Sequence, residues 1–429
     1  MNIPLPVIII GLVIAILILA NPFIGLAITT ILLSQVILQA FGQSIFGLFT
    51  MATPIKIIGG LTFLSAFMKQ FLERKSWVFL KKPQVKFFLL FIIWIYISGF
   101  THPGFATREN FTMFTSFFML GFIILSLVNN IRRFRIILWT ELICMFLISL
   151  YSIYIYLNSK QGMRISGADY GPNEFAISLL PILGISFYTF FTKKGAGGKI
   201  LSLIIAFTIF SALVLTFSRG GLIGFLGLLF IALIKTRRKI ATIIFAIVIV
   251  AGLASFMPSD FWERIEKTRV EEKFIGDPTV DSTTRRYMLS KAAWQMFLDN
   301  PIFGRGIGNY YYECRNYQPL TAGRAHNMYL EVMAELGIVG LVFMLGIFFT
   351  TMKALNRIVK KNKELANYAK GFYIGLFGFF ISAVFLHAEH DKILWFMIFM
   401  AAALENIALS NNRAITNKAI YRKQNAVKI

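Results

Sequence analysis

Long apolar runs decide what this chain can become. Stretches long enough, or nearly so, to cross a hydrocarbon core of about 30 Å begin near Leu5, Phe23, Ile55, Lys86, Phe111, Ile136, Glu174, Ile200, Gly220, Ile240, Asn327, Lys370 and Ile393. Hydrophobic residues make up 57% of the 429, with 45 Phe among them, more than one soluble core could hide. Apolar area left in water costs about 25 cal/mol per Å². The expected fold is therefore an all-α polytopic membrane protein forming a single integral membrane domain over residues 1–429. It should have about 12–13 transmembrane helices. The first two runs are separated only by Asn21 and Pro22, so they form either a tight hairpin or one broken helix. Residues 1–20 are apolar without a Lys or Arg n-region, which reads as a retained first span. Cys144 lies in an apolar stretch and Cys314 in a polar one, so no bridge or metal spacing is expected.

Charge then orients the spans. The 43 Lys and Arg against 20 Asp and Glu give a net +23, which in a soluble protein would suggest nucleic acid. Here the excess is segregated. The segments 69–86, 132–135, 193–199, 235–239, 353–370 and the tail from Arg413 hold 27 basic residues and two acids, Glu73 and Glu364. The alternating connections, 102–110, 158–173, 218–219, 258–325 and 387–391, are poor in Lys and Arg or nearly balanced. By the positive-inside rule the first set is cytoplasmic, facing anionic membrane lipids, and the second faces outward. No nucleic-acid partner is expected.

The outward segment 258–326 is the one sizeable polar piece, with ten basic and nine acidic residues over 258–325. Met288, Leu289, Ala292, Ala293, Met296 and Phe297 recur at helical spacing and predict an amphipathic helix over 285–298, stopped by Asn300-Pro301. Gly304, Gly306 and Gly308 follow as a flexible turn that returns the loop to the membrane.

All four histidines, His102, His326, His387 and His390, fall in the outward set. The inner loops have almost no acid, and no Asp-x-Asp pair, Walker A loop or His-Glu-x-x-His site occurs. A site, if present, faces outward and does not use a cytosolic nucleotide donor. The strongest constellation is His326-Asn327, nine residues, then Gly337 and Gly340. Such a histidine, neutral near pH 7, could accept a proton, or it could be a surface residue beside a helix N-cap Asn. Gly337 and Gly340 would let another helix approach. Glu335 would lie about 12 Å below the helix start, either functional at that depth or paired with a neighbouring Arg, and Glu331 precedes it by one turn.

Three further stretches carry arginines. In Ser218-Arg219-Gly220-Gly221 the arginine either snorkels to headgroups or binds phosphate at a helix start whose glycines expose N–H groups. Arg164 precedes Pro172-Asn173, a normal helix start, and is a second possible anion contact. Arg285-Arg286 precede the glycine turn. The patch His387, Glu389, His390 and Asp391 is either a solvated outer turn or a metal site; a solvated turn is the expectation, with no metal and no cofactor.

Together these features resemble the O-antigen ligase and polymerase superfamily of bacterial envelope polysaccharide assembly. The matching residues are Pro172-Asn173, Ser218-Arg219-Gly220-Gly221, Arg286 ahead of Asn300-Pro301-Ile302-Phe303-Gly304-x-Gly306, and His326-Asn327-x9-Gly337-x-x-Gly340. The resemblance covers residues 164–340. It implies a GT-C-like fold in the bacterial inner membrane and a metal-independent glycosyltransferase acting at the outer face. It also implies a polyprenyl-diphosphate-linked glycan donor, its diphosphate held by Arg219, Arg286 (or its neighbour Arg285) and Arg164, with His326 deprotonating or orienting the acceptor hydroxyl. The acceptor would be a glycan in a polymerase or a lipid A core in a ligase, and both share these motifs. A lipid-linked oligosaccharide flippase would also need cations for a diphosphate, but along a mid-membrane path, and no Lys or Arg lies near the centre of a proposed span.

Overall fold

A computed structural model describes residues 5–34, 52–74, 77–158, 164–167, 171–192, 195–235, 282–318 and 323–426. The span expected near Ile240 and the outward segment before Ser282 lie outside these residues. Those described form helices α1 (Leu5–Ala20), α2 (Pro22–Leu33), α3 (Ala52–Leu72), α4 (Pro83–Thr101), α5 (Thr107–Leu127), α6 (Ile131–Asn158) and α7 (Pro172–Thr192). There follow α8 (Ala196–Leu215), α9 (Arg219–Lys235), α10 (Ser282–Asp299), α11 (Tyr310–Tyr317), α12 (Met328–Lys361), α13 (Ala366–Ser382) and α14 (Lys392–Ala426). No strand occurs among the described residues. Eight helices, α3 to α8, α12 and α14, are long and apolar enough to cross a membrane. The other described runs form shorter helices: α1 and α2 of 16 and 12 residues, and α9 and α13 of 17 each. Asn21 alone separates α1 from α2, and its side chain accepts the Phe23 N–H at 3.2 Å. The chain is thus an all-α polytopic membrane protein.

Interior and lipid-facing helices differ in burial. The apolar windows of α7 and α14 are 78% and 83% buried, that of α3 only 22%. Around Trp395 of α14 pack Phe88 and Phe91 of α4 and Phe114 and Phe117 of α5. Helices α7 and α13 meet backbone to backbone: a Cβ on Gly184 would stand 2.6 Å from the Gly375 Cα. Small residues let membrane helices approach closely where no hydrophobic drive separates helix from lipid. Exposed Phe71, Phe207, Phe230 and Phe349 are apolar surface fit for lipid.

The two classes of connection separate in space. At one end Lys82, Gln84, Arg357 and Glu405 meet, with Lys235 donating to Asn356 at 3.1 Å. At the other, Asn309 donates to the His102 carbonyl, Arg164 to that of Thr216, and His387 pairs with Glu174. The alternation read from charge is therefore an alternation of ends.

Candidate functional site

The start of α12 fixes His326. Asn327 caps the helix, its Oδ1 accepting the N–H groups of Tyr329 and Leu330 at 3.0 and 3.1 Å. The next N–H, of Met328, is shared by the carbonyls of Ala383 and Leu386. Immediately before these anchors His326 adopts φ +52, a left-handed conformation that costs a non-glycine residue about 1 kcal/mol or more and persists only where neighbours enforce it. Asn327 thus fits its expected place as a cap. His326 is half-buried rather than a surface residue.

Three elements bring cations toward it. The α8–α9 turn is tight: Phe217 takes φ +49 and Ser218 Oγ accepts the Gly221 N–H at 3.3 Å, so Arg219 opens α9. The two glycines serve packing, and the Gly221 N–H is taken by Ser218. Added Cβ atoms would stand 3.1 Å from Phe385 Cβ at Gly220 and 2.7 Å from Ala176 Cβ at Gly221, and Ser382 donates to the Gly220 carbonyl. Helix α10 buries Met288, Leu289, Ala292, Ala293 and Met296 as the periodicity predicts, against Tyr310, Cys314 and Ala334. That anchoring leaves Arg285 exposed and Arg286 half-buried. Arg286 is lowered from its ordinary pKa by burial first and then by Arg219, with Glu174 opposing. His326 is pushed down to about 3 by burial first, then by Arg286, His387 and Arg285. Arg219, Arg285, Arg286 and His326 therefore share one electrostatic neighbourhood. Arg164 bridges connections beside it, donating to the Thr216 carbonyl at 2.8 Å and to Asn173 Oδ1 at 2.9 Å. That gives Pro172-Asn173 a second task besides starting α7.

Glycine 337 breaks α12. Its φ of +65 and ψ of −169 interrupt the helix, and what fills the gap is the 301–306 turn, not another helix as expected. The Ile338 N–H donates to the Pro301 carbonyl at 2.8 Å, while the N–H groups of Arg305 and Gly306 donate to the carbonyls of Ala334 and Glu335, both at 2.9 Å. A Cβ on Gly337 would lie 2.1 Å from the Ile302 oxygen, and one on Gly304 2.2 Å from the Glu335 carbonyl carbon. Broken-helix backbone inside a membrane needs such partners. Trp94 Nε1 adds a bond to the Leu336 carbonyl at 2.8 Å. Gly340, one turn on, is buried against its own helix's Leu336 side chain. Glu335 Oε1 accepts the Tyr310 N–H at the start of α11 at 3.1 Å, and Glu331 pairs with Arg324 at 2.8 Å. The pair with arginine expected for Glu335 thus belongs to Glu331.

The 387–391 turn corrects another expectation. It is packed rather than solvated: Glu389 and Asp391 are buried. His387 Nε2 lies 3.2 Å from Glu174 Oε1, and its ring centroid is 5.7 Å from that of His326. Burial pushes His390 down to about 4 and Asp391 up to about 6. On Glu389 burial is outweighed by His390, Arg324 and His387, which hold it below its ordinary value. Asp391 accepts from Ser178 and caps α14 through the Leu394 N–H. Among the described residues no three His, Cys, Asp or Glu side chains converge as a metal would need. His387 and Glu174 had a sequence signal, a histidine in an outer turn and an acid following Pro-Asn, but nothing in the spacing joined residues this far apart.

Comparison with known proteins adds the family. Residues 204–345 match the family model described as O-antigen ligase. Over 318 residues the chain is 26% identical to a Rickettsia typhi protein provisionally named a polysaccharide ligase, covering 68% of this chain and 74% of the relative. The matched region runs from α8 through the Gly337 break and holds Arg219, Arg285, Arg286 and His326. Match and relative both point to the O-antigen ligase superfamily, the one its motifs resemble.

Proposed function

We propose that this protein is a metal-independent glycosyltransferase of the bacterial inner membrane. It moves a polyprenyl-diphosphate-linked glycan to an acceptor hydroxyl at the outer face, as ligase or polymerase in O-antigen, capsule or exopolysaccharide assembly. The observation that carries this is the crowding of Arg219 from α9 and Arg286 from α10 around one end of the bundle, beside a half-buried His326. Arg286 feels Arg219 more strongly than the opposing Glu174, and an anion bound between the guanidinium groups would relieve that repulsion. A diphosphate at the membrane surface has the charge and the geometry, because guanidinium groups bind phosphate oxygens in pairs.

The reaction follows from these parts. The acceptor oxygen attacks the anomeric carbon as the bond from that carbon to the diphosphate breaks. Charge develops on the departing diphosphate, and Arg219 and Arg286 stabilise it as preorganised donors. His326, neutral near pH 7, takes the acceptor's proton. Arg285 adds to the positive field, and Arg164 holds the 164–173 and 216–219 connections in register so that Arg219 is aimed. Glu335 secures the start of α11. The core of the enzyme spans residues 164–340, with 258–326 as its outward-facing segment, in a GT-C-like arrangement.

The test supplies membranes containing the protein with a lipid-linked oligosaccharide and follows two products. Free polyprenyl diphosphate reports transfer whatever the acceptor. A ladder of glycan lengths identifies a polymerase and a single addition a ligase. Full diphosphate release by both Arg219→Ala and His326→Ala would overturn the site assignment.

A further inference from the structure

A base hemmed in by arginines cannot keep the proton it takes. Around His326 stand Arg285 and Arg286 of α10 and the ring of His387, and an imidazolium there would meet the same positive field that the donor is drawn to. Beyond it the chain supplies a path. His387 Nε2 lies 3.2 Å from Glu174 Oε1 of α7. Glu174 keeps a side chain 32% exposed, against 19% for His387, so the path ends nearer solvent than it begins. The Nδ1 atoms of His326 and His387 are both buried, and among the described residues neither has a hydrogen-bond partner. Buried polar nitrogens are rarely left so without a functional reason. The rings meet edge to face at 62° with centroids 5.7 Å apart, a separation that one bridging water could span.

We propose that Glu174 and His387 form a proton-accepting pair behind His326, so that the proton removed from the acceptor hydroxyl ends on the Glu174 carboxylate and His326 stays uncharged. This deepens the function proposed above and rests on it. The protons balance as follows. Before transfer His326 carries its proton on Nδ1, His387 carries its own on Nε2 donating to Glu174, and Glu174 is ionised. The acceptor's proton arrives on His326 Nε2. The His326 Nδ1 proton passes to His387 Nδ1, and the His387 Nε2 proton passes to Glu174. Each histidine ends neutral in its other tautomer, and Glu174 ends protonated and able to release the proton to solvent. The charged and titratable groups facing His387 are Glu389 and His390 of its own turn, Glu174, Arg324 and His326 ahead of α12, and Arg286 of α10. Glu389 is 2% exposed, its Oε2 accepting the Ala388 N–H and its Oε1 lying 3.6 Å from His390 Nδ1 without a hydrogen bond, so it has no route to release a proton to solvent. Glu174 is thus the acid at the end of the path.

The experiment measures polyprenyl diphosphate release by the full chain in lipid nanodiscs, with lipid-linked glycan extracted from the native host's membranes, between pH 4 and 9. Glu174→Gln and His387→Gln should each lower kcat about 100-fold, the low end of general acid–base effects, with KM within about twofold. Both should move the acid limb of the kcat profile, and Glu174→Asp should recover part of the rate. A structural role would instead lower Tm or raise KM with the profile unmoved, and that result overturns the pair. If His326→Ala releases diphosphate at the wild-type rate, the reading of the site itself fails. If His326→Ala is inactive while both Gln variants match wild type, only the pair fails. Should Glu174→Gln not fold, Glu174→Asp and His387→Gln carry the same comparison.

Discussion

At one end of the bundle Glu405 is shared by Gln84, Arg357 and Lys82 at 3.0, 3.1 and 3.5 Å, so a buried acid and its cations are matched. At the other, Arg286 sits within the field of Arg219 and both Arg285 and Arg286 act on His326. The chain uses the same residue types for opposite ends. Pairing at the first end holds α4, α12 and α14 together, while the crowding at the second is what the proposed diphosphate would relieve. The cations at the first end share the one acid Glu405, whereas Arg286 feels Arg219 more strongly than Glu174. Arg324 shows the same contrast within the site itself: Glu331 holds it at 2.8 Å, and it belongs with the paired set.

Substitutions at the two ends should separate along the same line. The largest effect is expected for His326→Ala, which should cut diphosphate release by at least about 100-fold with the glycan donor still bound, since general-base catalysis is worth that much. Arg286→Lys keeps the charge but loses the paired hydrogen bonds, and release should fall roughly tenfold. At the other end Glu405→Ala leaves Lys82, with a side chain only 10% exposed, without its acid. It should lower stability by roughly 3 kcal/mol, read as a drop in Tm, while release per folded molecule stays at wild type. An activity loss there matching that of Arg286→Lys would erase the distinction between the ends.

Proton linkage gives the smallest effect. His326 and His390 are held neutral in the fold, at about 3 and about 4, and take up protons when the chain unfolds toward their ordinary 6.5. The stability this contributes is present above about 6.5 and is lost as pH falls through the window between those values. Asp391, raised to about 6, acts in the opposite sense. Tm should decline between pH 7.5 and 5, and less steeply in His326→Gln than in wild type.

Much of this was legible in the sequence because the membrane simplifies the physics. Long apolar runs and alternating basic connections gave the helices and the segregation of their ends, and the 3.6-residue period of Met288, Leu289, Ala292 and Met296 placed α10 and, with it, Arg285 and Arg286. His326-Asn327 marked the start of α12 through its cap. What the spacing hid was contact across the fold. Gly337 read as a small residue for helix packing, whereas its positive φ accepts the 301–306 turn, a meeting of segments some thirty residues apart. The 387–391 turn read as solvated because its residues are charged, and its burial depends on α7 lying beneath it. Glu174 and His387 meet only because α7 and α13 pack closely enough for glycines to touch.

In the proposed function the crowded end, and not the paired one, receives the lipid diphosphate. Undecaprenyl diphosphate retained by the purified protein in native mass spectrometry tests it directly. Wild type and the paired-end double variant Lys82→Ala/Arg357→Ala should both hold one lipid diphosphate, and Arg219→Ala/Arg286→Ala should lose it while remaining folded. Undiminished retention by the Arg219→Ala/Arg286→Ala protein would contradict the account.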